Sequence, residues 1–170
     1  MTLTEPAVRK WTKQEYHEAA ELGCFDGERV ELIDGEVVRM AAQKDEHAMS
    51  VTLTEEAARR AFGSGFTYRV QMPLHLGPNS EPEPDLVVVR GLPRSHRRHP
   101  TSALLLVEIS DTTLLFDSGR KARLYASRGI RDFRIVNLVE RRLEVRRRPT
   151  ADGAGLFGHA YAETTIFQSG

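Results

Sequence analysis

A chain of 170 residues is long enough to bury a core without disulfide or metal staples, and it reads as a single domain over 11–170 behind a flexible N-terminal arm at 1–10. Its 24 basic and 24 acidic residues cancel to a formal net charge of zero, which excludes a global electrostatic footprint for nucleic acid, membrane or an acidic partner but leaves local patches open. One cysteine, Cys24, excludes an internal disulfide; no apolar stretch approaches membrane-spanning length and no basic-then-apolar leader opens the chain, so the expected setting is the cytoplasm, with no membrane partner.

Thr12-Lys13-Gln14-Glu15 has capping-box spacing, which predicts a helix that runs to Leu22 and stops at Gly23. Arg29 to Ile33 and Glu36 to Met40 flank Asp34-Gly35, a two-residue type I′ hairpin turn. Glu31 and Glu36, as lone acids on a half-exposed hairpin, are expected to be solvated. Asp45-Glu46-His47 opens a second helix, with apolar positions from Ala48 to Phe62 and a stop at Gly63; His47 in its first turn is expected to face water. Phe66 to Leu76 alternates apolar and polar, the pattern of a half-buried strand, with Gln71 on the polar face and Pro73 marking an edge or bulge. A turn at Gly77 to Ser80 then leads into Glu81-Pro82-Glu83-Pro84-Asp85, so this strand and the one that follows should pair antiparallel.

Two apolar runs, Leu86 to Val89 and Leu104 to Ile109, read as strands buried on both faces. Asp85 opens the first and Glu108 lies inside the second. An unpaired carboxylate in such a run costs several kcal/mol, so Glu108 requires a lysine, an arginine or a metal. If the strands are neighbours, Asp85 and Glu108 suit a hard divalent ion; alternatively Glu108 pairs with a buried arginine and Asp85 merely starts a strand. The loop between them carries Arg94, His96, Arg97, Arg98 and His99, a solvated surface or, beside a metal, a grip on phosphates. The Cys and His spacing of a structural zinc is absent. Downstream, Asp117 or Ser118 caps a helix that ends at Gly129, and the stripe 117, 121, 124, 125, 128 places Lys121 with Leu124 and Tyr125 toward the sheet. Lys121 is then either a partner for Glu108 and a catalytic ammonium, or a side chain whose stem snorkels to the surface. Asp132 to Leu138 completes a strand, helix, strand unit. Leu143 to Arg148 forms a strand ending at Pro149, whose arginines either face DNA or block edge pairing, and Tyr161 to Phe167 adds a last edge strand.

The order and spacing of Glu31-Leu32-Ile33-Asp34-Gly35-Glu36, His47, Gln71-Met72-Pro73, Glu81-Pro82-Glu83-Pro84-Asp85, Val107-Glu108-Ile109-Ser110, Asp117, Lys121 and Tyr125 to Phe133 resemble the Uma2 family, a branch of the PD-(D/E)xK restriction-endonuclease-like superfamily. The resemblance implies an α/β (α+β) fold: a restriction-endonuclease-like core, a central mixed β-sheet flanked by helices, with an N-terminal helix and β-hairpin. It also implies an endonuclease that uses Mg2+ or Mn2+ to hydrolyse phosphodiester bonds of nucleic acid, DNA rather than RNA, with a homodimer bringing two local patches together. Asp85 matches the Asp of the PD motif and Glu108 the acid of the second motif, together the metal ligands. Ser110 stands where the usual lysine would be, and Lys121 matches the position to which that lysine has migrated in this branch. His47 and Gln71 match further positions near the site and Glu31 belongs to the family's hairpin motif, the three making a candidate secondary site, and Arg94, Arg97 and Arg98 would bind phosphates. Phe133-Arg134 departs from the family's aromatic pair. Two alternatives are a catalytically inactive nucleic-acid-binding or interaction module of the same fold, and a structural assembly protein with a buried Glu108–Lys121 pair.

Overall fold

The computed structural model describes residues 7–169, so the first six residues of the expected N-terminal arm lie outside the described residues. Before the first helix, the Trp11 N–H donates to the Gly35 carbonyl at 2.9 Å and Lys10 pairs with Asp34, which fastens this segment to the hairpin turn. Helix α1 (Lys13–Glu21) starts from the complete capping box: Thr12 accepts from the Glu15 N–H and the Glu15 carboxylate accepts from the Thr12 N–H. Strands β1 (Val30–Ile33) and β2 (Glu36–Arg39) form a separate two-stranded sheet. Their turn has φ of 52° at Asp34 and 74° at Gly35, the two left-handed residues that a type I′ turn requires. Helix α2 spans Asp45–Phe62 and ends at Gly63.

The main sheet has six strands in the order β3 (Phe66–Arg69), β4 (Leu86–Arg90), β5 (Leu105–Ser110), β6 (Asp132–Asn137), β7 (Arg142–Ala151), β8 (His159–Gln168). Neighbours are antiparallel except β5 and β6, which are parallel. A parallel pair needs a crossover, supplied here by α3 (Leu114–Phe116), a π-helical turn (Asp117–Lys121) and α4 (Ala122–Ser127).

Alternation along β4 and β5 divides the core. Leu86, Val88, Leu105 and Val107 pack with Ala58 and Phe62 of α2 on one face. Val87, Val89 and Leu106 pack with Leu124, Tyr125 and Phe133 on the other. Both faces are covered, which explains why these strands are continuously apolar rather than alternating.

Two strand boundaries differ from the sequence expectation. β3 stops at Arg69 rather than continuing to Leu76, because Gln71 takes φ of 50° and Pro73 has no N–H to give a ladder. Leu74 and Leu76 are nevertheless fully buried, their N–H groups donating to Pro82 and Ser80. β7 runs through Pro149 to Ala151, because beyond Arg147 it has only β8 as a neighbour, and a strand with one open side tolerates proline. Its arginines guard no open edge, because β8 pairs along the strand; Arg146 binds Glu144, Arg147 binds Asp132 and Arg148 binds Glu163.

Candidate active site

The β4–β5 register pairs Leu86 with Val107, and one step further it sets Asp85 opposite Glu108. Alternation along β5 turns Leu105 and Val107 toward α2 and Leu106 and Glu108 toward the π-helical turn and α4. Glu108 is therefore buried beneath Lys121 and Tyr125. Its Oε1 accepts from Lys121 Nζ at 3.1 Å and from Tyr125 Oη at 2.5 Å, while its Oε2 lies 3.4 Å from the Asp85 N–H nitrogen. Asp85 is fixed at both oxygens: Oδ2 accepts from the Ile109 N–H at 2.8 Å, and Oδ1 accepts from Gln71 Nε2 at 3.0 Å and lies 3.0 Å from His47 Nε2. Lys121, 1% exposed, also lies 2.9 Å from Glu31 Oε2 and 4.0 Å from Asp117 Oδ1. Asp117 accepts from Ser110 Oγ at 2.8 Å and Thr113 Oγ1 at 2.6 Å. Glu31, His47, Glu83, Asp85, Glu108 and Lys121 all line one cavity of about 50 Å3.

Backbone geometry brings the lysine here. Within the crossover the Ala122 N–H reaches the Asp117 carbonyl five residues back, so the helix holds one residue more than an α-turn and carries Asp117, Lys121 and Tyr125 down one buried side. Asp117 is accordingly no cap. The helical segment starts at Leu114, and the carboxylate lies inside it, buried and bound by two hydroxyls. Arg128, the last member of the expected stripe, is exposed. Glu31 is buried rather than solvated, because β1 lies under the π-helical turn, while Glu36 stays exposed and accepts from Arg120 at 2.7 Å. His47 faces Asp85 rather than water. The cation beside Glu108 is Lys121, not an arginine. Arg94, Arg97 and Arg98 lie on the exposed β4–β5 loop and none of them lines the cavity; Arg97 and Arg98 border a separate groove with Arg69 and three histidines.

A family model described as "Uma2: Putative restriction endonuclease" matches residues 14–170. The chain belongs to the Uma2 family. Its fold is restriction-endonuclease-like: it is similar to a crystal structure described as that of "a putative nuclease belonging to DUF820" from Anabaena variabilis ATCC 29413, with a TM-score of 0.65 and 13% identity over 93% of this chain and 84% of that one. Membership of that family points to a nuclease. No curated protein matches. Among the described residues, no helix is long and apolar enough to cross a membrane.

Electrostatics in this Uma2 chain are set by an excess of acid. Three buried carboxyl groups, Glu31, Glu108 and Asp117, surround the buried Lys121 ammonium, and a fourth, Asp85, lies across the strand pair from Glu108. Burial, reinforced by Asp117, Asp85 and Glu31, pushes the Glu108 carboxyl well above its ordinary value against the pull of Lys121. Burial likewise raises Asp117 and Glu83. For Lys121, burial would favour the neutral amine, but Glu108, Glu31 and Asp117 outweigh it and keep the ammonium charged. Asp85 goes the other way: burial is overcome by hydrogen bonds from His47, Gln71 and Ile109, so it stays ionised. The bond to Asp85 raises His47 in turn. Carboxyl oxygens at the rim of a small polar cavity, those of Asp85 held ionised and those of Glu108 and Asp117 able to lose a proton to an incoming cation, fit a hard divalent ion.

Tyr125, Glu83 and the buried Asp117 are members of this Uma2 site that residue patterns did not single out. The only signal for Glu83 is the period-two spacing of Glu81, Glu83 and Asp85 along an extended chain. For Tyr125 it is a phenol on the same helical stripe as Lys121.

Proposed function

We propose that the chain is a metal-dependent endonuclease that hydrolyses phosphodiester bonds of nucleic acid, DNA in preference to RNA, with a PD-(D/E)xK-type site made of Asp85, Glu108 and Lys121. The observation that carries this reading is the meeting of these three side chains around one cavity, where buried carboxyl groups outnumber the one ammonium. Asp85 and Glu108 would hold Mg2+ or Mn2+, whose chemistry when bound is to acidify water and to neutralise phosphate charge. Gln71, His47 and the Ile109 N–H hold the Asp85 carboxylate in one orientation, and Tyr125 does the same for Glu108. Lys121 is kept protonated by its acidic neighbours, so it suits orienting the nucleophile and stabilising charge on the phosphate, not removing a proton. Glu31 anchors that ammonium from the hairpin side. Arg94, Arg97 and Arg98 would take phosphates along the substrate, which makes affinity fall as salt rises.

The test is a cleavage panel of duplex DNA, single-stranded DNA and RNA with Mg2+, Mn2+ or chelator. Wild type is expected to cut DNA only with metal. Asp85→Asn, Glu108→Gln and Lys121→Met are expected to lose at least about 100-fold in rate, the scale seen when one group that stabilises developing charge is removed, with circular dichroism unchanged. Joint replacement of Arg94, Arg97 and Arg98 by alanine should weaken binding and flatten its salt dependence. Equal behaviour of wild type and Asp85→Asn across the panel sinks the reading.

One observation favours a second reading: Lys121 is enclosed between Glu31 and Glu108. In a non-catalytic module that trio is a structural ion pair. Wild type then takes up no Mg2+ or Mn2+, and Glu108→Gln costs on the order of 3–5 kcal/mol of stability.

A further inference from the structure

We propose that His17, His75 and Glu81 form a second metal site, distinct from the cavity of Asp85 and Glu108, that takes Zn2+ or a similar transition-metal ion. The three side chains come from separate pieces of the fold. His17 is on α1, His75 is in the irregular stretch after β3, and Glu81 sits where the chain crosses β1, its N–H donating to the Leu32 carbonyl at 2.7 Å. His17 Nε2 lies 2.7 Å from Glu81 Oε1, and His75 Nε2 lies 2.6 Å from Glu81 Oε2. One ligand atom from each lies within 4.8 Å of the other two, the only such trio of His, Cys, Asp or Glu among the described residues.

Glu81 is 5% exposed, and among the described residues its only cationic neighbours within 4.0 Å are these two imidazoles. A buried carboxylate needs positive charge, and neutral histidines do not supply it. The second observation is at the His75 contact. His75 Nε2 and Glu81 Oε2 are both buried and 2.6 Å apart, yet neither has a partner in hydrogen-bond geometry. A tetrahedral Zn2+ with bonds of about 2.0–2.1 Å holds its ligand atoms about 3.3 Å apart, so the ion would part these two atoms by roughly 0.7 Å and give each a partner.

The donor set decides the ion. Two imidazoles and one carboxylate favour Zn2+ over Mg2+, which prefers oxygen ligands and bound water. His17 has a side chain 47% exposed, which gives an ion a route in and leaves a fourth position for water. The His99 ring lies tilted at 59° to His75 with centroids 5.0 Å apart, but its Nδ1 is taken by Arg69 at 2.7 Å. Asp85 lies four residues beyond Glu81, roughly 13 Å along an extended chain. The ion would therefore staple α1, the β3–β4 connection and β1 rather than join the Asp85 cavity.

The experiment uses untagged full-length protein, stripped with chelator and titrated with Co2+ as a visible-absorbing stand-in for Zn2+. Three proteins are compared: wild type, His17→Ala, and the Asp85→Asn/Glu108→Gln double variant. His17 is half exposed, so its replacement leaves the core intact, and circular dichroism checks this. The expected result is about one equivalent of Co2+ with the strong visible bands of low coordination, displaced by Zn2+. It should persist in the double variant and weaken at least about 10-fold in His17→Ala, with Zn2+ raising the wild-type melting temperature. Absence of the bands in wild type, an unchanged Co2+ affinity in His17→Ala, or loss of the bands in the double variant would each overturn the proposal. None of these readouts depends on cleavage, so an inert protein that binds Co2+ in this way still satisfies it.

Discussion

Glu108 illustrates how a single buried acid organises its surroundings: within hydrogen-bonding distance it collects an ammonium and a phenol, and across the strand pair it faces a second carboxylate. Tyr125 is fully buried, and its hydroxyl donates to Glu108 Oε1. Tyr125→Phe should therefore cost about 1–3 kcal/mol, the range for leaving a buried polar group short of a hydrogen bond, read as a lower urea midpoint with an unchanged slope. A change below about 0.5 kcal/mol would mean that the phenol contributes no more than an ordinary surface group. Some of this environment is legible in the chain. A carboxylate inside Leu105-Leu106-Val107-Glu108-Ile109 announces a cationic partner, and Lys121 on an inward stripe offers one. Glu31 and His47 are not legible in that way. Glu31 is buried only because a segment ninety positions downstream covers the hairpin, and His47 faces inward only because Asp85 arrives opposite it.

At the scale of elements, the hairpin depends on its turn. Gly35 has φ of 74°, and a Cβ there would collide with the Lys10 side chain. Gly35→Ala should cost about 1–2 kcal/mol for the left-handed conformation alone, with more from displacing Lys10. Thermal denaturation checks this, and a melting temperature equal to wild type would show that the turn can rearrange freely. Turn and cap chemistry is local, which is why Asp34-Gly35 and the Thr12–Glu15 box are readable from adjacent residues. Strand ends are not local. Alternation across Phe66 to Leu76 holds as a burial pattern for Leu74 and Leu76, yet the hydrogen-bond ladder ends at Arg69, since burial and pairing are separate demands. Conversely, β7 outlasts Pro149 because its partner on one side has already ended.

At the scale of the whole molecule, the equal numbers of acidic and basic residues meet in ion-pair networks on the outer strands. On β6 and β7, burial alone would raise Asp132 and Glu144. Instead Arg134 and Arg147 hold Asp132 below its ordinary value, and Arg146, Arg142 and Asn137 do the same for Glu144. Depressed carboxyls bind fewer protons folded than unfolded. Their stabilisation is thus complete above the unfolded values, near 4 in model peptides, and is lost as pH falls through the lower folded values. Urea midpoints should decline on acidification from about pH 5 to about pH 3, and Glu144→Gln should shallow that decline. An identical acid profile for the variant would show that Glu144 carries none of it.

The surplus residue in the crossover has a consequence for tolerance to length change. A helix wound five-to-one at one turn can shed a residue and close into ordinary winding, with both ends still anchored. Deleting Gly119, which has open space around its Cα, should leave a soluble protein with a cooperative melt, while shortening the interval between Asp117 and Lys121 enough to pull the ammonium off Glu108. Failure of that deletion to fold would mean the extra residue holds the architecture together as well as aiming one side chain.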